Sequence, residues 1–153
     1  LKSRFKTIFS SDNLSSLKKI ISCKTMNKER ITSENIEKLQ ENEIFVFGSN
    51  QHGLHAGGAA RVAYKKFGAV WGQGFGLQGK SFAIPTMFDE VRRIQPYIDE
   101  FIIFASEHSE YRFLVTRIGC GIAGYKDEEI APLFARAKEL ENVALPEKWW
   151  NLI

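Results

Sequence analysis

Cysteine is scarce in this chain, and its two copies, Cys23 and Cys120, lie far apart. So sparse a pair is no disulfide framework and fits a reducing cytoplasm. Cys–His spacing of the metal-binding kind is absent, and the three histidines, His52, His55 and His108, form no zinc pattern. No metal and no cofactor is therefore expected. No apolar run approaches the roughly 20 residues that a membrane-crossing helix needs, so no membrane partner is expected. Neither of the two glycine-rich loops continues into Gly-Lys-Ser/Thr, which excludes P-loop kinase or NTPase chemistry.

What is present is ordinary in bulk. The 153 residues, 44% hydrophobic and 25% charged, suit one globular domain that buries about two-thirds of its unfolded surface. The net charge of +3 is unevenly placed. Residues 1–31 hold eight Lys/Arg against two acids, and residues 32–153 hold 13 bases against 16 acids. The basicity thus belongs to the start of the chain. A Ser- and Lys-rich stretch over residues 1–25 reads as a basic N-terminal extension, and globular patterning over residues 26–153 begins near Met26. By net charge the globular part has no excess suited to nucleic acid, which is expected to bind only through that basic segment.

Two glycine-rich stretches each follow an apolar run. Ile44-Phe45-Val46-Phe47 leads into Gly48-Ser49-Asn50 and on to Ala56-Gly57-Gly58-Ala59-Ala60. Arg112 to Ile118 leads into Gly119-Cys120-Gly121-Ile122-Ala123-Gly124-Tyr125. A strand, a glycine loop and a helix start present bare N–H groups and a positive helix end to an anion, most often a phosphate. Two such loops point to a diphosphate gripped from both sides. The surrounding pattern predicts a short helix from Thr32 or Ser33 to Gln40 with Ile36 and Leu39 inward, and a strand over 43–47. It predicts a helix over 59–67, a loop over 72–79 and a strand over 80–84. A helix is predicted through Ile94, Ile98, Phe101, Ile102 and Ala105, and a strand over 112–118. A helix capped by Asp127 and a last strand over 143–145 complete the order. Strands alternating with helices argue for an α/β sandwich with a mostly parallel central sheet, whose ligands bind beyond the carboxyl ends of the strands.

Several residues carry two readings. Asn50 either offers its amide to a sugar hydroxyl pair or serves as a turn residue. Cys120 is either a nucleophile with His55 as its base or a polarisable wall residue, the wall being favoured. His52 and His55 either bind a ligand or fix their loop. Gly74-Phe75-Gly76-Leu77-Gln78-Gly79 matches G-x-G-x-x-G but precedes a strand instead of following one, so it reads as a loop that closes over a ligand or is simply flexible. Phe75 and Tyr125 are candidates for stacking on a base, and Trp149 and Trp150 read as anchors of the chain end.

Taken together, Phe45-Val46-Phe47-Gly48-Ser49-Asn50, Ala56-Gly57-Gly58-Ala59-Ala60 and Arg117-Ile118-Gly119-Cys120-Gly121-Ile122-Ala123-Gly124-Tyr125 resemble a divergent macrodomain. They are closest to the macrodomain-like proteins of bacteria and phages, and the second loop is similar to that of the macrodomains that remove terminal ADP-ribose. The resemblance covers about residues 27–150. It implies a three-layer α/β/α sandwich binding ADP-ribose or a related nucleotide, free or carried on an ADP-ribosylated macromolecule. By the same carry-over Asn50 touches the distal ribose, while Gly48, Ser49, Gly57, Gly58, Ala59 and Ala60 form the first wall. Gly119 to Gly124 form the second, with Tyr125 beside the ribose. The resemblance also implies catalytic carboxylates or a lysine where this chain has Ala60, Ala123 and Met87. Binding is accordingly expected ahead of hydrolysis. For weak ADP-ribosyl hydrolysis the nearby candidates are Asn50, His55 and Asp89. Two other readings stand beside it: hydrolysis of a different nucleotide derivative, and a non-enzymatic interaction protein with a vestigial cleft.

Overall fold

Strand formation follows the apolar runs. In a computed structural model that describes residues 29–153, six strands form one sheet in the order β1-β6-β5-β2-β4-β3. They are β1 (Ile31–Thr32), β2 (Glu43–Ser49), β3 (Gly76–Gln78), β4 (Ser81–Pro85), β5 (Arg112–Val115) and β6 (Val143–Pro146). Only the β3–β4 pair is antiparallel. The protein is thus a mixed α/β fold with a mostly parallel sheet. Residues Ile31–Ile153 form one compact unit, and the expected basic extension over residues 1–25 lies outside the described residues.

Alternate side chains of a strand point to opposite faces, and the core divides accordingly. Phe45, Phe47 and Ala83 face one side, where helix α1 (Gly58–Lys66) lays Ala60 and Ala63 on them. Ile44, Val46, Phe82, Ile84, Phe113 and Val115 face the other. There helix α2 (Gln95–Glu107) buries Ile98, Phe101, Ile102 and Ala105, spaced as one helical stripe. Pro96 falls in the first turn of α2, where a missing N–H costs nothing. Phe101 is fully buried, and truncating it to alanine would cost about 3–5 kcal/mol. Trp149 is buried in the same cluster and Trp150 packs against it, so both anchor the chain end as expected.

Four expectations need correction. Residues 34–40 carry no helix. Thr32 instead pairs with Pro146 as strand β1, although Ile36 and Leu39 do pack inward on the Phe45–Phe47 side. The 72–79 stretch contains β3, which caps the sheet edge. Strand β5 stops at Val115, three residues early, and the chain turns at once into the site. Asp127 does not cap its helix. It is the first residue of the one-turn α3 (Asp127–Ile130), followed by a 3-10 stretch over Ala131–Glu139, and its carboxylate is buried and otherwise engaged. Glu129 accepts from the Lys126 N–H (2.8 Å) at that helix start instead.

Candidate functional site: a cleft between two glycine loops

The chain leaves β2 toward α1 on one face and leaves neighbouring β5 toward α3 on the other. The strand order therefore reverses between β2 and β5, the place where open α/β sheets form a ligand crevice. A cavity of about 430 Å3 lies there, beyond the carboxyl ends of β2, β4 and β5. Gly48, Ser49, Asn50 and Gly57 to Ala60 line it from the first loop; Gly119 and Gly121 to Ala123 line it from the second.

The two loops converge closely. A Cβ on Gly48 would sit 3.1 Å from Thr86 Oγ1 and 3.3 Å from the Gly119 nitrogen. A Cβ on Gly57 would sit 2.9 Å from Cδ1 of Ile122, so the gap between the two loops there leaves little room for a side chain. Gly58 and Gly119 have φ of +59° and +73°, values that side-chain-bearing residues rarely adopt, and they turn the backbone into the cavity. Gly57, the N-cap of α1, contributes no side chain, and the first N–H groups of a helix have no preceding carbonyl to bind. In the second loop the Cys120, Gly124 and Tyr125 N–H groups bond to carbonyls of Arg117, Gly121 and Gly119. The N–H groups of Gly121, Ile122 and Ala123 make no hydrogen bond among the described residues. Two sets of main-chain donors thus border one cavity.

No family profile, curated protein or solved structure matches this chain. The site must be read from its own residues. Of the proton-transfer candidates, only Asn50 reaches the cavity wall. Its amide donates to the Leu54 carbonyl (3.0 Å) and accepts from the Leu54 N–H (3.0 Å), which closes the 50–54 turn and favours the turn reading. His55 is corrected. It is buried behind the loop, with one ring nitrogen 2.9 Å from Ser49 Oγ and the other 3.1 Å from Gln78 Oε1. Asp89 is also corrected, because it is exposed and paired with Arg93 (2.8 Å), away from the cavity. His52 is exposed.

Cys120, Gly124 and Tyr125 do not line the cavity either. The Cys120 thiol turns toward the core, 3.7 Å from an Asp127 oxygen. Burial pushes it up to about 11, aided by the Asp127 charge, so the thiolate a nucleophile needs is suppressed, and because the sulfur packs on the core Cys120 is not a wall residue of this cavity either. The Tyr125 hydroxyl donates to the Phe88 carbonyl, and the Phe75 ring packs on Phe82 and Tyr97; neither residue lines this cavity, so neither stacks on a base in it.

Sequence reasoning missed Leu54, Thr86, Thr116 and Arg117, which line the cavity; Met87, placed by the resemblance at a lysine position, lines it too. Register explains the two threonines: Thr86 and Thr116 follow the ends of β4 and β5, which flank β2, and their hydroxyls donate to the Ser49 carbonyl (3.3 Å) and the Val46 carbonyl (2.8 Å). The one charged wall residue is Arg117. Its guanidinium forks onto buried Asp127 (3.0 and 2.7 Å), which also accepts from Trp149 Nε1 (2.6 Å) and Lys148 Nζ (3.4 Å). Hydrogen bonding from Arg117 holds the Asp127 carboxyl well below the usual carboxylate range. A second cavity of about 660 Å3, toward β1 and β6, shares the wall residues Ala59, Thr116 and Arg117 with the first.

Proposed function

We propose that this protein binds ADP-ribose or a related nucleoside diphosphate in the cleft between its two glycine loops, on a macrodomain-like three-layer framework. One observation carries the reading: the two loops line a common cavity and approach so closely that a Cβ at Gly57 would crowd Ile122, with uncommitted main-chain N–H groups bordering the cavity. A diphosphate is the anion whose two charges such paired donors match. The coverage of the sheet on both faces and the reversal of strand order at the cleft support the framework. The adjoining cavity leaves room for the remainder of a nucleotide.

The same wall argues for binding over turnover. It contains no Asp, Glu, His, Lys or Cys among the described residues, so no side chain there can move a proton at neutral pH. Arg117 stays protonated and is held by Asp127. The cleft is read as a binding module, with the ADP-ribosylated macromolecule as the carrier of its ligand.

Calorimetric titration with ADP-ribose tests the reading, with thermal melting alongside. Measurable heat and a raised Tm are expected; neither signal at about 1 mM ligand removes the proposal. The Gly121→Glu variant is the specific probe. A Cβ at Gly121 would meet no heavy atom within 4 Å, so the fold should tolerate the change while a carboxylate enters the anion site. Affinity should drop by more than about tenfold through like-charge repulsion.

A further inference from the structure

The net acidity of the globular part hides a local reversal. The 45 residues between Glu43 and Asp89 contain no acid and four bases, Arg61, Lys65, Lys66 and Lys80. The rest of residues 32–153 holds nine bases and sixteen acids. On α1, Arg61, Tyr64 and Lys65 stand at i, i+3 and i+4 and share one exposed face. Neither Arg61 nor Lys65 nor Lys66 is ion-paired among the described residues. Tyr64 is 46% exposed and meets Trp71, which is 50% exposed, with ring centroids 5.5 Å apart. Lysines in a last helical turn are accounted for by the helix dipole. Two large aromatic rings left half in water beside those cations are not.

We infer that this face, Arg61, Tyr64 and Lys65 of α1 with Trp71 of the following loop, binds single-stranded nucleic acid. Charge complementarity selects a polyanion, and the exposed rings select one that carries stackable bases. Bases stack on aromatic faces whatever their sequence, and flanking cations take the phosphates. A duplex keeps its bases stacked inside and gains only from the cations. The inference does not rest on the nucleotide reading of the cleft, since none of these four residues lines that cavity.

The test is a fluorescence-anisotropy titration of the full chain with a labelled oligothymidylate of about 12 nucleotides, a length within the site sizes of single-strand binders. Trp71→Ala should weaken binding about tenfold and Trp71→Phe far less, because a ring remains. Arg61→Glu with Lys65→Glu should lower the slope of log affinity against log salt by about 1.4, the release expected for two single-strand phosphates. The charge-matched pair Arg92→Glu and Arg136→Glu, both on exposed side chains elsewhere, should leave affinity within about twofold. Circular dichroism confirms folding of each variant. If Trp71→Ala and the Arg61/Lys65 reversal both leave the affinity as it was, the basic segment before residue 31 does the binding and the inference is overturned. Equal competition by heparin against wild type and Trp71→Ala overturns it too, because stacking would then contribute nothing. Gly121→Glu should retain oligonucleotide binding while losing ADP-ribose, which separates the two readings.

Discussion

The first glycine loop is pinned by an imidazole and an amide, the second by a buried carboxylate and its cations. Behind the first, His55 joins Ser49 to Gln78, and Asn50 closes its own turn on Leu54. Behind the second, buried Asp127 gathers Arg117, Lys148 and Trp149. Both devices do the same work. They hold a mobile-looking glycine stretch still, so that its N–H groups face the cavity before any ligand arrives, which reduces the ordering cost of binding. The difference is in what disturbs them. Acid bears on the second loop through the Asp127 carboxylate, and loss of a partner atom bears on either loop.

The largest effect is expected at the ionic anchor. Asp127→Ala strands the Trp149 N–H inside the core and removes both cation partners, and should cost about 4 kcal/mol of unfolding free energy by chemical denaturation. Asp127→Asn gives the pH signature. The folded carboxyl is held below its ordinary value chiefly by Arg117, so the unfolded chain takes up the proton first. The stabilisation is complete above about pH 5 and is lost as pH falls through the folded value. Wild type and Asp127→Asn should therefore differ most near neutrality, with the gap beginning to narrow at about pH 4 and closing only below the folded value. A gap that stays constant on acidification would show that the carboxylate charge is not the anchor.

Next in size is the histidine anchor of the first loop. His55→Ala empties a buried site and leaves Ser49 and Gln78 short of a partner, at a cost of about 3 kcal/mol. ADP-ribose affinity should fall with it, because the first loop loses its backing. A variant that loses stability but binds as before would show that the loop is held by other contacts. Asn50→Ala should cost about 1 kcal/mol through the opened 50–54 turn. Asn50→Asp keeps the acceptor for the Leu54 N–H and should recover about half of that stability. If Asn50 touched a ribose instead, both variants would lose binding while stability stood still.

These anchors mark where the chain was readable and where it was not. Apolar runs and glycine positions are local signals. They place β2, β4, β5, α1 and α2 and the two loops within a few residues. The ends of the runs are set by pairing instead. Thr116 looks like strand by its neighbours, yet the backbone turns there into the site. Thr32 looks like a helix cap until β6 takes it as a strand partner. Asp127 has the position of a cap and the function of a buried counter-ion, because Arg117 is ten positions away in sequence and Trp149 twenty-two. His55, next to a glycine loop, reads equally as ligand contact or support; only Gln78, brought in by β3, decides for support. Ala60, Ala123 and Met87 were legible from the start, and all three line the cavity, whose wall among the described residues holds no Asp, Glu, His, Lys or Cys.

The smallest effect is expected at Cys120, and it separates a packing thiol from a reagent. The thiol is held near 11 by burial and by the Asp127 charge, so its reactivity should be slight at pH 8. On a Cys23→Ser background, the rate of alkylation by iodoacetamide should climb about tenfold per pH unit through pH 10, beyond the plateau of an ordinary thiol near pH 9. A rate that levels off by pH 9 would mean that the sulfur is open to solvent and free of the carboxylate. Cys120→Ser should cost less than about 1 kcal/mol, since a half-buried sulfur at the edge of the core is exchanged for a hydroxyl within reach of Asp127. ADP-ribose binding should not change, because the loop turns that side chain away from the cavity and presents main-chain nitrogen in its place.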